Sequence, residues 1–501
     1  MVDMDARTPP SESPGSFDAA AEIHETHTGV VTMIGARAYK IKKPVLTDFL
    51  DFRTVEQREW ACRHEVDLNR RLAPDAYLGV AHLSDPQGGP AEPVIVMRRY
   101  PDTYRLSSMV RRGEPTELLE QQLTLVAELL ADFHRRAERS ADIDAGGRPS
   151  AISARWQANI TELRRYTTTV LPAELISETE HLVNQFITGR SQLFADRIAD
   201  QRIVDGHGDL LADDIFCQPD GPVLLDCLEF DDRLRHVDGI DDAAFLAMDL
   251  EFLGRRDLAD HFLAQYRKAA DDPAPPGLIR FYIAYRAGVR AKVDCIRADQ
   301  GSPGADADAR RHLDLAVDQL RAGTVRLILI GGGPGTGKTT LARGLGEHIG
   351  APVISTDDVR RELQATGVIE GEPGTFGVGL YSPEKVAVVY DAVLQRAATL
   401  LAAGHTVILD GTWREQRDRD RARELARQHA VPMVEFACTV PLKEAEQRIA
   451  GRRETTSDAT PEIAAAMAEH ATGWDAAHRI DTRRPLAETV AEAHAISCLA
   501  I

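Results

Sequence analysis

Apolar runs alternate with helical patterns in the C-terminal part of the chain. The runs are VRLILI (325–330), APVIST (351–356), HTVILD (405–410) and VPMVEFAC (431–438). Each has the length and apolar content of a strand that is buried on both faces. Strands that alternate with helices pair as a parallel sheet with helices on its faces. This pattern predicts an α/β domain with a doubly wound parallel sheet.

The N-terminal part shows strand patterns first and helical patterns afterwards. The strand-like stretches are GVVTMIG (29–35), ARAYKIKKP (36–44) and EPVIVMRRY (92–100), and a helical pattern at 54–73 lies between them. After residue 115 the apolar residues with helical spacing are Leu119, Leu123, Val126, Leu130 and Phe133. Such spacing places them on one core-facing helix stripe. The order predicts a two-lobed α+β unit.

A connector rich in Gly, Pro and Asp, ADQGSPGADAD (298–308), separates the two patterns. A short helical pattern follows the connector and leads into the first apolar run. We therefore place the boundary near 315–323, with domains at 21–315 and 316–501. Residues 1–20 are acidic and rich in Pro and Ser, and we predict that they form a disordered lead-in.

Composition narrows the classes of function. The 501-residue chain has a formal net charge of −19, which repels a phosphate backbone and argues against nucleic acid as the main partner. No apolar run approaches the roughly 20 residues that span a bilayer, and the N-terminus lacks the apolar core of a signal peptide. The six cysteines form no CxxC pair, so we expect buried free thiols in a reducing compartment. These features predict a cytoplasmic protein with no membrane partner.

The sequence GGPGTGKT at 332–339 fits the phosphate-binding loop GxxxxGK[ST]. It lies between a predicted strand and a predicted helix, which is the context that the motif requires. Backbone N–H groups surround the phosphates, Lys338 reaches the β- and γ-phosphates, and the Thr339 hydroxyl binds Mg²⁺. The predicted nucleotide-binding residues are Gly332, Gly333, Pro334, Gly335, Thr336, Gly337, Lys338, Thr339 and Thr340. The guanine-reading NKxD motif is absent, so ATP with Mg²⁺ is the expected cofactor.

Two further motifs follow strands of the same domain: TDDVR (356–360) and LDGTW (409–413). With the phosphate loop they resemble the small P-loop kinases, which include gluconate kinases, polynucleotide 5′-kinases, chloramphenicol phosphotransferase and zeta toxins. The resemblance implies that Asp357 acts as base on the acceptor hydroxyl and that Arg360 positions the acceptor. Asp410 ends a strand as a Walker-B carboxylate does, and we predict that it serves Mg²⁺. A cap of the following helix or turn is the alternative role for both carboxylates.

Arg448 and Arg452 are spaced one helical turn apart after PLKEAEQ (441–447). The small P-loop kinases carry arginines on a lid at about this place, where they stabilise charge on the transferring phosphoryl group. The resemblance therefore implies a catalytic role for Arg452. A solvated helix face is the alternative.

The stretch HGDLLADDIF (207–216) raises the question of a second phosphoryl-transfer site. Phosphoryl transfer to a hydroxyl needs one carboxylate that aligns the acceptor and a second that holds Mg²⁺. Asp209 in this stretch and Asp226 in VLLDCLEF have the order of such a pair. With these residues, the region over roughly 25–300 resembles aminoglycoside phosphotransferases and related choline-kinase-like enzymes. The resemblance implies that Asp209 serves the acceptor and that Asp226 binds the metal.

Two upstream residues complete this resemblance, and two features depart from it. Lys40 is implied to bind the α- and β-phosphates and Glu65 to orient Lys40, but Lys42 competes from the same strand face. The Asn of the family's HGDxxxxN pattern, counted from Asp209, falls on Asp214. An ionised Asp can bind Mg²⁺ but cannot donate a hydrogen bond, and it adds like charge. A Gly-rich loop is also absent, so the site is active, altered in metal preference, or kept for binding alone.

The whole sequence predicts two domains: an N-terminal α+β protein-kinase-like, aminoglycoside phosphotransferase-like domain and a C-terminal α/β P-loop domain. This layout resembles bacterial proteins that are predicted to be bifunctional phosphotransferases. The resemblance implies transfer of the ATP γ-phosphoryl group to the hydroxyl of a small molecule, mainly in the C-terminal domain. The alternative is an ATP-binding regulator in which one or both sites do not catalyse.

Overall fold

The computed structural model describes residues 21–25, 29–46, 51–84, 87–371, 379–451 and 473–501. The predicted lead-in 1–20 lies outside the described residues. The chain splits into two compact units, one with the residues up to 146 and 203–272, the other with 147–202 and 273–501. The second unit therefore contains the predicted P-loop domain, 316–501, together with residues 147–202 and 273–315. The sequence pattern had assigned those two ranges to the N-terminal domain.

An antiparallel sheet and one helix form the first lobe of the first unit. The elements are β1 (Glu22–Glu25), β2 (Gly29–Ile34), β3 (Arg37–Lys42), α1 (Val55–Asn69), β4 (Tyr77–Leu83) and β5 (Glu92–Arg98). The sheet order is β1-β2-β3-β5-β4. Thr54 and Gln57 form a capping box at the start of α1, and α1 packs against β4 and β5. The three predicted strands and the predicted helix are confirmed.

Helices follow this lobe along the chain. They are α2 (Leu106–Arg111), α3 (Thr116–Arg136), α4 (Ala141–Ala145), α5 (Pro149–Arg164), α6 (Ala173–Gly189) and α7 (Ser191–Ala199). The stripe predicted on α3 is confirmed, because all five of its apolar residues are at most 3% exposed. Burial of that stripe holds α3 against its neighbours in the first unit.

Short strands and two helices complete the first unit. They are β6 (Ile203–Asp205), β7 (Ile215–Gln218), β8 (Gly221–Leu224), β9 (His236–Asp238), α8 (Gly239–Phe252) and α9 (Arg256–Ala269). β6 pairs with β9, and β7 pairs with β8. The HGD stretch therefore begins just after β6, and Asp226 lies just after β8.

Two long helices belong to the second unit: α10 (Pro276–Asp299) and α11 (Ala305–Gly323). They pack on each other, and α10 contacts α5 while α11 contacts α6. The centroid of the Trp156 ring lies 5.7 Å from that of Phe281 and 5.4 Å from that of Tyr285. Phe186 stacks on Phe281 at 4.4 Å. These aromatic contacts hold α5, α6 and α10 together. The fourth helix, α11, packs on α10 and α6.

The rest of the second unit is an α/β domain. Its elements are β10 (Leu327–Gly331), α12 (Lys338–Ile349), β11 (Val353–Ser355), α13 (Thr356–Ala365), α14 (Pro383–Ala402), β12 (Val407–Asp410), α15 (Gln416–Gln428), β13 (Met433–Thr439), α16 (Leu442–Ala450), β14 (His478–Asp481) and α17 (Leu486–Cys498). The sheet order is β11-β12-β10-β13-β14, and every pairing is parallel. The predicted parallel sheet is confirmed, with β14 as a strand that the pattern did not predict. Parallel strands end at one edge, where ligands bind.

Five of the six cysteines are buried as predicted, but Cys498 is exposed. It is the last residue of α17 and lies one position beyond the buried stripe that ends at Ser497. Burial raises the pKa of the Cys62, Cys217, Cys227, Cys295 and Cys438 thiols to about 12. Among the residues that the structure describes, no helix combines the length and apolarity needed to cross a bilayer.

Candidate active sites

The predicted phosphate loop connects β10 to α12, which begins at Lys338. Gly332, Gly335 and Gly337 have φ values of 147°, 77° and 82°, a backbone region that only glycine adopts without strain. A Cβ on Gly335 would also meet the carbonyl of Ala445 in α16. The glycines therefore let the loop curl beside α16 and direct the N-terminus of α12 toward a ligand.

Thr339 and Asp410, both predicted to serve Mg²⁺, are hydrogen-bonded. The Thr339 hydroxyl donates to Oδ2 of Asp410 at 2.8 Å, because β12 lies next to β10 in the sheet. Asp410 is 1% exposed, and burial raises the pKa of its carboxyl although the Lys338 ammonium opposes that shift. Its Oδ1 atom has no hydrogen-bond partner within the described residues. A role for Asp410 as the cap of the following turn does not explain its hydrogen bond with Thr339.

These donors fit a magnesium ion. A hydroxyl oxygen and a carboxylate oxygen are hard ligands of the type that Mg²⁺ prefers. Among the described residues, no cluster of three or more His, Cys, Asp or Glu side chains has the geometry to hold a metal. Water and nucleotide phosphates would supply the other ligands, as they commonly do for Mg²⁺.

Asp357 and Arg360 lie in the first two turns of α13, at the end of β11. Nη1 of Arg360 donates to Oδ1 of Asp357 at 2.6 Å, and the guanidinium lies 4.5 Å from the centre of the Tyr381 ring. The N-cap of α13 is Ser355, so Asp357 is not the helix cap of the alternative interpretation. The carboxylate is 20% exposed, and the pair is held at the ligand edge of the sheet.

Arg452 lies outside the described residues. Arg448 lies in the last turn of α16, and its side chain has defined hydrogen-bond partners. Its Nη2 atom donates to Glu444 at 2.7 Å and its Nη1 atom donates to the Thr482 hydroxyl at 3.2 Å. That hydroxyl donates in turn to the carbonyl of Thr336 at 2.6 Å. Arg448 therefore connects α16 and the segment after β14 to the phosphate loop, and is more than a solvated helix residue.

The first unit contains an ion-pair cluster at the position of the second predicted site. The Lys40 ammonium lies 2.7 Å from Asp226 and 2.8 Å from Glu65. The Lys42 ammonium lies 2.7 Å from both Glu65 and Glu229. Both lysines thus reach Glu65 from one face of β3, and Lys40 is the one that also reaches Asp226.

Charge compensation sets the pKa values in this cluster. Burial would lower the pKa of Lys40, but the Asp226 and Glu65 carboxylates outweigh it and raise that pKa well above its ordinary value. The Lys40 ammonium lowers the pKa of Asp226. Asp226 also has φ = 62°, a strained backbone conformation for a residue with a side chain, and such strain collects at functional sites.

Asp214 lies in a group of carboxylates. Burial, together with the negative charges of Asp226, Asp209 and Asp213, raises the pKa of Asp214 well above its ordinary value. Asp213 is hydrogen-bonded by Ser107 and pairs with Arg111 at 3.5 Å. Asp214 therefore takes up a proton more readily than an ordinary aspartate, and a protonated carboxyl can donate a hydrogen bond as an Asn does.

A buried network fixes the backbone of the HGD stretch, and the sequence pattern did not reveal it. The Asp242 carboxylate on α8 accepts from the N–H groups of His207 and Gly208 at 2.7 and 2.8 Å. The same carboxylate lies 2.9 Å from Nε2 of His134, whose Nδ1 lies 2.7 Å from the Tyr266 hydroxyl. The network positions the loop that carries Asp209.

The fold and the two sites define the class of protein. The second unit contains an α/β domain with a parallel sheet and a phosphate loop, and the first unit contains an antiparallel sheet followed by helices. A family model described as an AAA domain matches residues 327–473.

The chain belongs to one family with the Mycobacterium tuberculosis protein Rv2004c, which is 55% identical over 475 residues, 95% of each chain. The Mycobacterium bovis protein Mb2027c matches with the same values.

Solved structures with similar folds are less alike in sequence. A choline/ethanolamine kinase family protein from Mesorhizobium loti is 14% identical, with a TM-score of 0.36 over 60% of this chain and 92% of that chain. A gluconokinase from Sinorhizobium meliloti is 20% identical, with a TM-score of 0.27 over 35% and 93%. The Mycobacterium tuberculosis adenylyl-sulfate (APS) kinase CysC, in complex with AMPPNP and APS, is 20% identical, with a TM-score of 0.26 over 35% and 97%.

Proposed function

We propose that this protein is an ATP- and Mg²⁺-dependent phosphotransferase. The main reaction takes place at the phosphate loop and transfers the γ-phosphoryl group to a hydroxyl of a small molecule. The observation that carries the proposal is the 2.8 Å hydrogen bond from Thr339 to the buried Asp410, with Asp357 at the end of the neighbouring strand. The net charge of −19 supports a small acceptor over nucleic acid, and we keep the cytoplasm as the proposed compartment.

Each residue of the site has a role in this reaction. Backbone N–H groups of the loop and Lys338 bind the triphosphate, and Thr339 and Asp410 hold Mg²⁺, which neutralises charge on the phosphates. Asp357 aligns the acceptor hydroxyl and takes its proton. A P–O bond forms to the acceptor oxygen as the bond from the γ-phosphorus to the bridging oxygen breaks, and ADP leaves. Arg360 orients Asp357 through the hydrogen bond that its Nη1 atom donates to Oδ1 at 2.6 Å.

The test compares two adjacent carboxylates on α13. Asp357→Asn is expected to lower acceptor-dependent ADP formation by about 100-fold or more, while the affinity for Mg²⁺-AMPPNP stays within about twofold. Asp358→Asn is the control, because Asp358 pairs with Arg361 on the exposed face. A panel of sugars, sugar acids, sugar phosphates, nucleosides and aminoglycosides serves as acceptors. Undiminished transfer by Asp357→Asn refutes the assignment.

A second site in the first unit is favoured by the contacts of Lys40 with Asp226 and Glu65. In this proposal Lys40 binds the α- and β-phosphates, Asp226 and Asp214 hold Mg²⁺, and Asp209 serves the acceptor. Residual ADP formation in a Lys338→Ala background, lost on Asp209→Asn, is the expected result.

The competing function is an ATP-binding regulator, and the carboxylate at Asp214 in place of an Asn is the feature that favours it. A regulator binds Mg²⁺-ATP without acceptor-stimulated turnover. ADP formation that no acceptor of the panel increases above the acceptor-free rate would support the regulator over the phosphotransferase.

A further inference from the structure

A pocket of about 470 Å³ lies beside the first residues of the phosphate loop. Gly332 and Gly333 form one wall, and Thr412, two residues beyond Asp410, forms another. Lys338 and Thr339 are not among its described lining residues. The pocket therefore adjoins the phosphate loop without being lined by the two residues proposed to bind the phosphates and Mg²⁺.

The charge of this pocket is opposite to that of the whole chain. Arg414, Arg419 and Arg479 line it, and none of the described lining residues carries a carboxylate. Arg414 pairs with Glu415 at 3.6 Å, whereas Arg419 and Arg479 form no ion pair in the part of the chain that the structure describes. The chain as a whole has a net charge of −19. A concave site with one sign of charge concentrates ligands of the opposite sign. The ligand that fits here is an anion.

Arg419 is a buried cation, and the described part of the chain gives it no acidic partner. It is 2% exposed, and its Nη1 atom donates to the carbonyls of Trp413 and Arg414 at 2.7 and 2.6 Å. Its Nη2 atom donates to the carbonyl of Gly473 at 3.2 Å, and its Nε atom has no partner within the described part of the chain. Carbonyl groups hold the guanidinium in place but do not neutralise its positive charge. An anionic ligand in the pocket would neutralise that charge.

Trp474 gives the pocket a fixed aromatic wall. The Arg419 guanidinium lies 5.4 Å from the centre of its ring, and its indole N–H donates to Glu435. Glu435 is held in turn by Arg423 on α15, at 2.7 and 2.8 Å. An aromatic surface beside a cation suits a ligand that has both an anionic group and a carbon skeleton.

Arg479 is the arginine whose change tests the pocket most cleanly. It lies on β14 opposite Ala437 and is exposed. It forms no ion pair within the described residues. Because the fold does not depend on it, a substitution there changes the charge of the pocket without breaking a structural contact.

We infer that this pocket binds the phosphoryl acceptor and that the acceptor carries a carboxylate or a phosphate group beside its hydroxyls. The inference rests on the proposed function, since it names the substrate class of the same site. Neutral sugars and cationic aminoglycosides would offer no negative charge to the guanidinium groups of Arg419 and Arg479.

The experiment uses the full chain saturated with Mg²⁺-AMPPNP and compounds that differ only in charge. Gluconate is titrated against glucose, and ribose 5-phosphate against ribose, by calorimetry. We expect at least one anion to bind at least about tenfold more tightly than its neutral partner. Gluconate and ribose 5-phosphate distinguish a carboxylate from a phosphate as the recognised group. Arg479→Gln should weaken that binding about tenfold, as loss of one charged hydrogen bond does, and leave AMPPNP affinity unchanged.

Arg427→Gln is the matched control, because Arg427 is 72% exposed on α15 and lies outside the pocket. It should change neither affinity. Equal binding of both members of each pair, or binding of neither, overturns the inference. So does a loss of AMPPNP affinity in Arg479→Gln equal to the loss of anion affinity, which would assign the pocket to the nucleotide. Anion binding without any acceptor-dependent ADP formation would refute the proposed function and leave an anion site.

Discussion

The Lys40 ammonium lies 2.7 Å from the carboxylate of Asp226, although the two residues are far apart in the sequence. Glu65 accepts from the same ammonium, and Lys42 engages the other oxygen of Glu65. Lys40 therefore contacts Asp226, the carboxylate proposed to bind Mg²⁺, whereas Lys42 contacts Glu65 and Glu229. Because their contacts differ, substitution of each lysine should affect a different measurable property.

Lys40→Met is expected to weaken nucleotide binding at the site of the first unit by at least about tenfold, because a direct phosphate contact is lost. Lys42→Met should instead lower the free energy of unfolding by about 3 kcal/mol, since its partners Glu65 and Glu229 lose a buried cation. AMPPNP titration in a Lys338→Ala background and urea unfolding give the two readouts. Identical profiles for the two variants would contradict this division of roles.

Asp214→Asn is expected to stabilise the metal-free protein at pH 8. The pKa of Asp214 in the folded state lies well above the unfolded value of 3.8. The protonated side chain of Asp214 therefore favours the folded state at low pH. That contribution to the free energy of unfolding is lost as the pH rises through the folded-state pKa. Without Mg²⁺, the midpoint of thermal unfolding should be higher for Asp214→Asn than for the wild type. Added Mg²⁺ should reduce this difference in midpoint.

Asp220→Asn, an exposed change in the turn between β7 and β8, is the control and should show no Mg²⁺-dependent difference. A lower midpoint for Asp214→Asn at pH 8 would mean that Asp214 is ionised and stabilising, against this account.

His207 is expected to make stability depend on pH below neutrality. It is fully buried, its Nδ1 accepts from the N–H of Asp209 and its Nε2 donates to the carbonyl of Leu225. Burial lowers its pKa below the unfolded value of 6.5. The unfolded chain therefore takes up a proton first, and stability falls as the pH drops below 6.5 toward the folded-state pKa.

The slope is up to about 1.4 kcal/mol per pH unit, and His207→Asn should remove that slope. Urea unfolding between pH 5 and 8 measures it. His181→Gln, on the exposed face of α6, should keep the wild-type slope. A wild-type slope in His207→Asn would assign the effect to another group.

Gly331→Ala is expected to destabilise the P-loop domain by about 2 kcal/mol through overpacking. A Cβ on Gly331 would clash with the ring of Trp474, whereas a Cβ on Gly333 would have its nearest neighbour at 3.9 Å. Gly333→Ala should therefore stay within about 0.5 kcal/mol of wild type. The free energy of unfolding in urea provides the measurement. Trp474→Phe should restore stability to Gly331→Ala, and failure of that rescue would place the strain elsewhere.

The sequence was sufficient to predict elements whose apolar pattern is local. β10, β12 and β13 are nearly continuous apolar runs, and the phosphate loop follows β10 directly. The contact of Thr339 with Asp410 follows from these strands being neighbours. β1 (EIHE) and β14 (HRID) escaped prediction because only Ile480 is buried among their residues, so neither has an apolar pattern.

Other parts of the sites depend on tertiary contacts that no local pattern encodes. Asp242 accepts from His207 across 35 positions and contacts His134 across 108. In the sequence it is one of many acidic residues between 231 and 242. Arg419 lies on α15 and Trp474 lies shortly before β14, and the two meet only in the folded domain. The pocket beside the phosphate loop was therefore not predictable from the motifs.

The central claim is that each half of the chain holds a nucleotide site, and the stoichiometry of Mg²⁺-AMPPNP binding to the intact chain tests it most directly. Titration calorimetry should give two sites for the wild type and one each for Lys338→Ala and Lys40→Met. A single site in the wild type that disappears in Lys338→Ala and persists in Lys40→Met would contradict the claim and leave the first unit without a nucleotide.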